Sequence, residues 1–191
     1  MTVHLELLRH GETELGGGLR GSLDDALTET GWTQLRSAVT NAGPWHRLIS
    51  SPLQRCARFA EELAQQHKLP LSLEPDLQEL HFGEWEGRSA AQLMQTDADD
   101  LGRFWADPYL FTPPGGETLL AFEARVLGAV QRLHARHEGE RLLLITHGGV
   151  MRLLLARARA LPRSDLLQVN VGYAQRFRLT LDSLGTLREC L

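Results

Sequence analysis

Two histidines in the sequence each follow a short apolar segment and each precede glycine. His10 follows the segment 3–8, and His147 follows the segment 141–146. Both segments are predicted to be strands, and the second is predicted to be buried on both faces because its apolar run is continuous. In a parallel α/β sheet the carboxyl ends of the strands form one crevice. We therefore expect the two imidazoles to lie close together.

The neighbours of these histidines indicate an anionic ligand. Arg9 precedes His10, and Gly148 and Gly149 follow His147. An arginine side chain is planar and permanently charged, and it matches the oxygen atoms of a phosphate group. Glycines allow close approach of a ligand to the backbone, and the N–H groups that open the next helix can bind an anion. Either histidine taken alone is also consistent with an ordinary loop or core residue.

Composition excludes several classes of protein. The 191 residues include 20 Lys and Arg against 24 Asp and Glu, a net charge of -4, whereas nucleic-acid-binding proteins usually carry a basic excess. The chain is 42% hydrophobic and 23% charged, which is typical of a folded globular protein rather than a disordered one. Cys56 and Cys190 are too few for a disulfide framework or a cysteine-rich zinc site. We expect one domain over residues 1–191 and no nucleic-acid partner.

The N-terminal segment does not have the pattern of a targeting sequence. Glu6 interrupts it, and no later run reaches the ~18 apolar residues that a membrane helix needs. The sequence thus predicts a cytoplasmic protein with no membrane partner. The oligomeric state stays open, because an edge strand or an apolar patch could support a homodimer and nothing in the sequence requires one.

The other predicted elements alternate between helix and strand. Short strands are expected at 47–50 and 71–73, and edge strands between 173 and 189. Ser51 and Pro52 are predicted to start a helix, with the serine as cap and the proline in the first turn. Further helices are expected after Thr28, over 117–137 and over 150–160. This alternation favours a three-layer α/β/α sandwich with a mostly parallel central sheet.

Six sequence blocks, in order, resemble the histidine phosphatase superfamily, the phosphoglycerate-mutase-like group. They are LRHGET (8–13), GSLDDALT (21–28), SSPLQRCA (50–57), LQELHFGEWEG (77–87), PGGET (114–118) and ITHGG (145–149). A lone RHG is a weak signal, but the ordered set extends from residue 3 to about residue 155. The resemblance implies a phosphoglycerate-mutase-like fold and the hydrolysis of a small-molecule phosphomonoester.

The resemblance also implies roles for individual residues of the phosphate pocket. His10 matches the nucleophile, which forms a phosphohistidine and so divides one displacement into two easier steps. Arg9 and Arg55 match the phosphate-binding arginines. His147 matches the second histidine of the pocket, and Gly148 lies beside it. The arginine charges are expected to disfavour protonation of His10, since a nucleophilic imidazole must be neutral.

Glu79 matches the general acid of the superfamily, which protonates the leaving alcohol and then activates water. To act as the acid it must hold a proton near neutral pH. Composition alone does not separate it from Asp76, Glu84 and Glu86, and only the match to the family block selects it. No step of this scheme requires a metal ion or another cofactor.

One position departs from the family pattern. Many members carry a phosphate-contacting asparagine three residues after the threonine of LRHGET, where this chain has Gly16. A backbone N–H or Arg20 must then replace that contact, and Gly16, Arg20 and Ser22 are candidate substrate contacts. The glycine-rich loop resembles most closely that of bacterial α-ribazole phosphatases, which implies α-ribazole 5′-phosphate, an intermediate of cobalamin (nucleotide loop) synthesis, as the substrate.

Other functions stay open at this point. The chain could be a broad-specificity sugar-phosphate phosphatase or a phosphoglycerate mutase, although the segment 76–117 leaves little room for the longer insertions of typical mutases. An inactive phospho-ligand-binding module is less favoured because every matched pocket residue is present. Trp85 and Trp105 are predicted to be core residues. The arginines from Arg152 to Arg163 are predicted to lie on a solvated helix face.

Overall fold

The computed structural model describes residues 1–190 and is organised around one six-stranded sheet in the order β3-β2-β4-β1-β5-β6. Strands β3, β2, β4 and β1 run parallel to one another, whereas β5 is antiparallel to β1 and β6 is antiparallel to β5. The mostly parallel central sheet is therefore confirmed. The strands are β1 (Val3–Arg9), β2 (Arg47–Ser50), β3 (Leu71–Leu73), β4 (Arg141–Thr146), β5 (Arg176–Leu181) and β6 (Leu187–Cys190).

Helices cover both faces of this sheet. They are α1 (Glu29–Val39), α2 (Gln54–His67), α3 (Ala90–Thr96), α4 (Ala98–Ala106), α5 (Leu119–Arg136) and α6 (Gly148–Ala158). Alternate residues of β4 enter two separate apolar clusters: Leu142 and Leu144 pack with α5 and α6, and Leu143 and Ile145 pack with α1 and α2. Because successive strand side chains point to opposite faces, this division produces the predicted three-layer sandwich.

Helix α1 begins where it was predicted, and α2 does not. The Thr28 side chain accepts a hydrogen bond from the Gly31 amide and caps α1. Helix α2 begins at Gln54 and has no side-chain cap, so the predicted Ser51 cap is wrong. The Ser51 hydroxyl oxygen lies 2.7 Å from the His147 Nε2 atom instead. The Ser51 side chain points into the crevice, and the helix starts two residues later than predicted.

Two glycines allow the loop after β1 to cross the first turn of α1. A Cβ on Gly11 would lie 2.3 Å from the Gly31 carbonyl oxygen, and a Cβ on Gly31 would lie 2.1 Å from the Glu12 carbonyl oxygen. Neither position has room for a side chain. The loop that carries His10 is consequently pressed against α1.

Helices α3 and α4, which the sequence did not predict, form a small cap beside the sheet. Leu93, Leu101 and Phe104 bury this cap against the cluster that contains α5 and α6. Between residues 1 and 190, no helix has both the length and the apolar character that crossing a lipid bilayer demands.

Candidate active site

The structure brings the two predicted histidines together at the carboxyl end of the sheet. Strands β1 and β4 are parallel neighbours that pair Arg9 with Thr146, so the residues that follow them emerge side by side. The ring centroids of His10 and His147 are 5.4 Å apart, and the rings are inclined at 60°. The side chains are almost completely buried, with 3% and 0% of their surface exposed.

The His10 ring is held in one tautomer and is neutral. Its Nδ1 atom lies 2.8 Å from the Gly11 carbonyl oxygen, so Nδ1 carries the proton and Nε2 keeps its lone pair. Burial, opposed by the Gly11 hydrogen bond and reinforced by the charges of Arg55 and Arg9, lowers the pKa of His10 to about 3. The arginines therefore act on this histidine in the direction that was expected.

The His147 ring is fixed from both sides. Arg55 Nε donates to its Nδ1 atom over 3.3 Å, so the ring proton lies on Nε2 and is donated to the Ser51 hydroxyl. Burial, followed by the charge of Arg55, lowers the pKa of His147 well below the ordinary value of histidine. A neutral ring therefore lies beside His10, with its single N–H donated to the Ser51 hydroxyl.

Arg55 links the second histidine to the loop 21–25. Besides its bond to His147, it donates from Nη2 to the Gly21 carbonyl oxygen over 3.0 Å, and its Nη1 lies 3.4 Å from Asp25 Oδ1. The side chain is completely buried. Much of its donor capacity is used by protein acceptors, so it contributes charge and orientation to the pocket.

Arg9 is held by the segment 171–175, which precedes β5. Its Nη1 donates to the Val171 carbonyl oxygen over 2.7 Å, and its guanidinium carbon lies 4.4 Å from the Tyr173 ring centroid. The same ring is 5.8 Å from that of His10. Arg9 Nε is buried and has no hydrogen-bond partner in the described residues. Sequence reasoning placed Tyr173 only at an edge strand and missed its position over the pocket.

The Glu79 carboxylate lies at the N-terminus of α6. Its Oε2 accepts from the Gly149 amide over 2.9 Å, and its Oε1 accepts from the Leu80 amide over 3.0 Å. A Cβ on Gly149 would lie 2.3 Å from Oε1, so this approach requires glycine. Arg125 of α5 donates to the carbonyl oxygens of Gln78 and Glu79 and so positions the segment.

The other three acidic candidates have different surroundings. Asp76 pairs with Arg132, and Glu84 is exposed. Glu86 accepts hydrogen bonds from the amides of Ser22 and Leu23 and ties the loop 21–25 to the segment after Glu79. Of the four acids, only Glu79 reaches the start of α6.

The three predicted substrate-loop residues are in different environments. Gly16 is exposed in a left-handed turn, and a Cβ there would meet nothing within 4 Å. Ser22 is exposed and bound to Glu86. Arg20 is buried, donates to the Thr13 hydroxyl, and lies 3.6 Å from Asp25. Its charge contributes to the lowered pKa of His10, so Arg20 is the member of this set that acts on His10.

A cavity of about 430 Å³ opens beside Glu79. Trp85 is a core residue as predicted, but Trp105 is 50% exposed and lines this cavity, so its predicted core position is wrong. Arg152 also lines this cavity, so its predicted position on a solvated helix face is wrong. The cap and the segment 166–168 complete the wall, which consists of Leu19, Glu79, Leu80, Phe82, Phe104, Trp105, Pro108, Leu119, Phe122, Gly149, Arg152, Leu166, Leu167 and Gln168.

Comparison with known families agrees with this architecture. The model of the histidine phosphatase superfamily (branch 1) matches residues 5–187. The chain belongs to the histidine phosphatase superfamily. Its named relatives are phosphatases, and the protein is accordingly a phosphatase-type hydrolase. The resemblance seen in the six sequence blocks is confirmed.

Individual relatives of this histidine phosphatase include two enzymes with different names. An adenosylcobalamin/alpha-ribazole phosphatase of Salmonella typhimurium is 33% identical over 173 residues, which cover 88% of this chain and 86% of the relative. A glucosyl-3-phosphoglycerate phosphatase of Mycobacterium tuberculosis is 32% identical over 170 residues, which cover 83% and 76%. The crystal structure of a putative alpha-ribazole-5′-P phosphatase from Escherichia coli superposes with a TM-score of 0.86 at 27% identity, covering 99% of this chain and 95% of the other.

The buried, neutral His10 makes the stability of this histidine phosphatase depend on pH. The folded pKa is about 3, and an unfolded histidine has a pKa of about 6.5. Between these values the unfolded chain binds a proton that the folded chain does not, so the free energy of unfolding is expected to fall as the pH drops below about 6.5. Urea unfolding at about pH 7.5 and about pH 5 measures this fall. His10→Asn should show a smaller fall than the wild type, and equal falls would contradict the assignment.

Proposed function

We propose that the protein hydrolyses phosphomonoesters through a covalent intermediate on His10. The observation that carries the proposal is the buried, neutral His10 ring, whose Nε2 lone pair is free beside the charges of Arg9, Arg20 and Arg55. A nucleophile for a phosphoryl group needs that lone pair, and the developing negative charge needs the cations. Both are present within the same crevice.

In the proposed first step, His10 Nε2 attacks the phosphorus atom. The P–N bond forms while the P–O bond to the leaving alcohol breaks, and the departing oxygen takes a proton from Glu79. Arg9 Nε donates to the phosphoryl oxygens, and the His147 Nε2 proton is donated to them in place of the Ser51 hydroxyl. The amides at the start of α6, next to Gly148, add the positive end of the helix dipole.

In the second step, water attacks the phosphohistidine. Glu79 accepts a proton from the water as the new P–O bond forms, and the electron pair of the P–N bond returns to His10 Nε2. Glu79 thus carries a proton before the first step, is ionised between the two steps, and carries a proton again after the second.

For the substrate we propose α-ribazole 5′-phosphate, which joins a ribose phosphate to a flat benzimidazole base. The cavity beside Glu79 supports this choice because Phe82, Phe104 and Trp105 line it and apolar groups dominate its wall. Aromatic side chains stack favourably on flat apolar rings. The relative from Salmonella typhimurium, which is named an adenosylcobalamin/alpha-ribazole phosphatase, supports the same substrate.

A substrate panel tests this proposal. We expect kcat/KM for α-ribazole 5′-phosphate to exceed that for 3-phosphoglycerate, fructose phosphates and nucleotides by at least about tenfold, as expected when a pocket contributes more than about 1.4 kcal/mol to one transition state. The release of inorganic phosphate measures the rate of hydrolysis for each of the four substrate classes. Preference for 3-phosphoglycerate or a sugar phosphate would overturn the substrate, and transfer of phosphate within 3-phosphoglycerate would indicate a mutase.

The second candidate is a sugar-phosphate phosphatase. It is supported by the 32% identity to the glucosyl-3-phosphoglycerate phosphatase of Mycobacterium tuberculosis. Both candidates share the chemistry at His10 and differ in the leaving group, so the same panel separates them.

A further inference from the structure

Arg152 is a cation without an ion-pair partner at the border between the phosphate pocket and the cavity. Its Nε donates to the Val169 carbonyl oxygen over 3.0 Å, which fixes the side chain. Its neighbours further along the chain, Arg157, Arg159 and Arg163, all pair with carboxylates. No carboxylate in residues 1–190 forms such a pair with Arg152, and its two terminal nitrogens are free to donate.

The position of Arg152 places these nitrogens next to the phosphate-binding group. Its Nη1 and Arg9 Nε each lie 3.3 Å from the point that a Cβ on Gly148 would occupy. The two guanidinium groups therefore flank the first residue of α6. The charge of Arg152 also lowers the pKa of Arg9, with burial as the larger cause. A phosphoester held by Arg9 would therefore lie close to Arg152.

The wall of the cavity determines what kind of group Arg152 can bind. Arg152, Gly149 and Glu79 all line the cavity. A second anion on the substrate would be repelled by Glu79 once this residue has given its proton to the leaving group. A hydroxyl group, by contrast, can accept a hydrogen bond from Arg152 and donate one to a carboxylate.

We propose that Arg152 determines specificity by binding the hydroxyl groups of a polyol or sugar leaving group next to the phosphoester. This inference rests on the proposed function, and it assigns the polar end of the cavity to the sugar. Phe82 and Trp105 line the same cavity and are left for an apolar group of the substrate. The leaving group is thus amphipathic and uncharged.

Equilibrium binding tests the role of Arg152 independently of turnover. The His10→Asn protein, which lacks the nucleophile, is titrated calorimetrically with ribose 5-phosphate and with phenyl phosphate, which has no hydroxyl group. Adding Arg152→Met is expected to weaken the binding of ribose 5-phosphate by roughly 10- to 100-fold. This is the usual effect of losing a hydrogen bond to a charged group. Binding of phenyl phosphate should change by less than about threefold. Arg152→Lys, which keeps the charge, should recover part of the loss, and Arg159→Met serves as the matched arginine control.

Two outcomes would overturn the proposal. If Arg152→Met weakened the binding of both ligands equally, Arg152 would bind the phosphoryl group. If it weakened the binding of neither, Arg152 would have only a structural role. In the enzyme that retains His10, Arg152→Met should lower kcat/KM for ribose 5-phosphate and leave kcat/KM for phenyl phosphate unchanged. If the wild type hydrolyses neither ester, the proposed function fails, whereas the binding comparison still decides the role of Arg152.

Discussion

Replacing His10 with alanine or asparagine is expected to abolish turnover, with a loss of kcat on the order of 10⁴-fold or more. Both side chains lack the Nε2 lone pair that attacks phosphorus in the proposed first step. Asparagine retains much of the volume and polarity of the ring, so it separates loss of chemistry from loss of packing. Steady-state phosphate release from α-ribazole 5′-phosphate and phenyl phosphate measures the effect.

The covalent intermediate gives a second measurement of the same prediction. Wild-type enzyme quenched during turnover of ³²P-labelled phenyl phosphate should carry label that acid removes and alkali does not, as expected for a P–N bond. His10→Asn should carry none. His134→Ala, a half-buried substitution near the C-terminal end of α5, is the control and should retain both label and activity. Substantial turnover or labelling of His10→Asn would remove His10 from the role of nucleophile.

The convergence of His10 and His147 was accessible from the sequence because it depends on local patterns. Each follows an apolar segment whose length and composition predict a strand, and parallel strands present their carboxyl ends at one edge. The pairing of β1 with β4 is then sufficient to place the two ring centroids 5.4 Å apart. The role of the glycines next to each histidine could also be predicted from the sequence, because close backbone approach leaves no room for a side chain.

The residues that hold the histidines were not accessible in this way. Tyr173 reaches Arg9 from a segment more than 160 positions later in the chain, and Arg125 reaches the backbone of Glu79 from α5. An isolated tyrosine or helical arginine has no sequence signal for such a contact. Ser51 was misassigned for a related reason: Ser-Pro is a good local start for a helix, but the hydrogen bond to His147 takes the serine.

The cavity was the least predictable part of the site. Its outer wall includes Phe104 and Trp105 from the cap, whose helices α3 and α4 were not predicted. An aromatic residue in an unassigned segment is more often a core residue, and that expectation held for Trp85 and failed for Trp105. Specificity therefore depends on tertiary positions, whereas the phosphate chemistry depends on short blocks near strand ends.

Replacing Glu79 with glutamine is expected to affect substrates according to how much their leaving group needs a proton. For an alkyl ester such as α-ribazole 5′-phosphate, kcat should fall by roughly 10²- to 10⁴-fold, the usual contribution of general acid–base catalysis. For p-nitrophenyl phosphate, the nitrophenolate leaves without a proton, so the first step should persist. The second step still lacks its base, and stopped-flow measurements should show a burst of one nitrophenol per enzyme followed by slow turnover.

The burst distinguishes proton transfer from a role of Glu79 in binding alone. If Glu79 only shaped the pocket, Glu79→Gln would slow both esters equally and no phosphoenzyme would accumulate. If it exchanges protons with the leaving group and then with water, the ³²P label on His10 should approach one per enzyme during turnover of the nitrophenyl ester. Glu84→Gln changes an exposed acid in the following turn and should leave both rates unchanged. Equal slowing without accumulation of label would assign the proton transfers to another group.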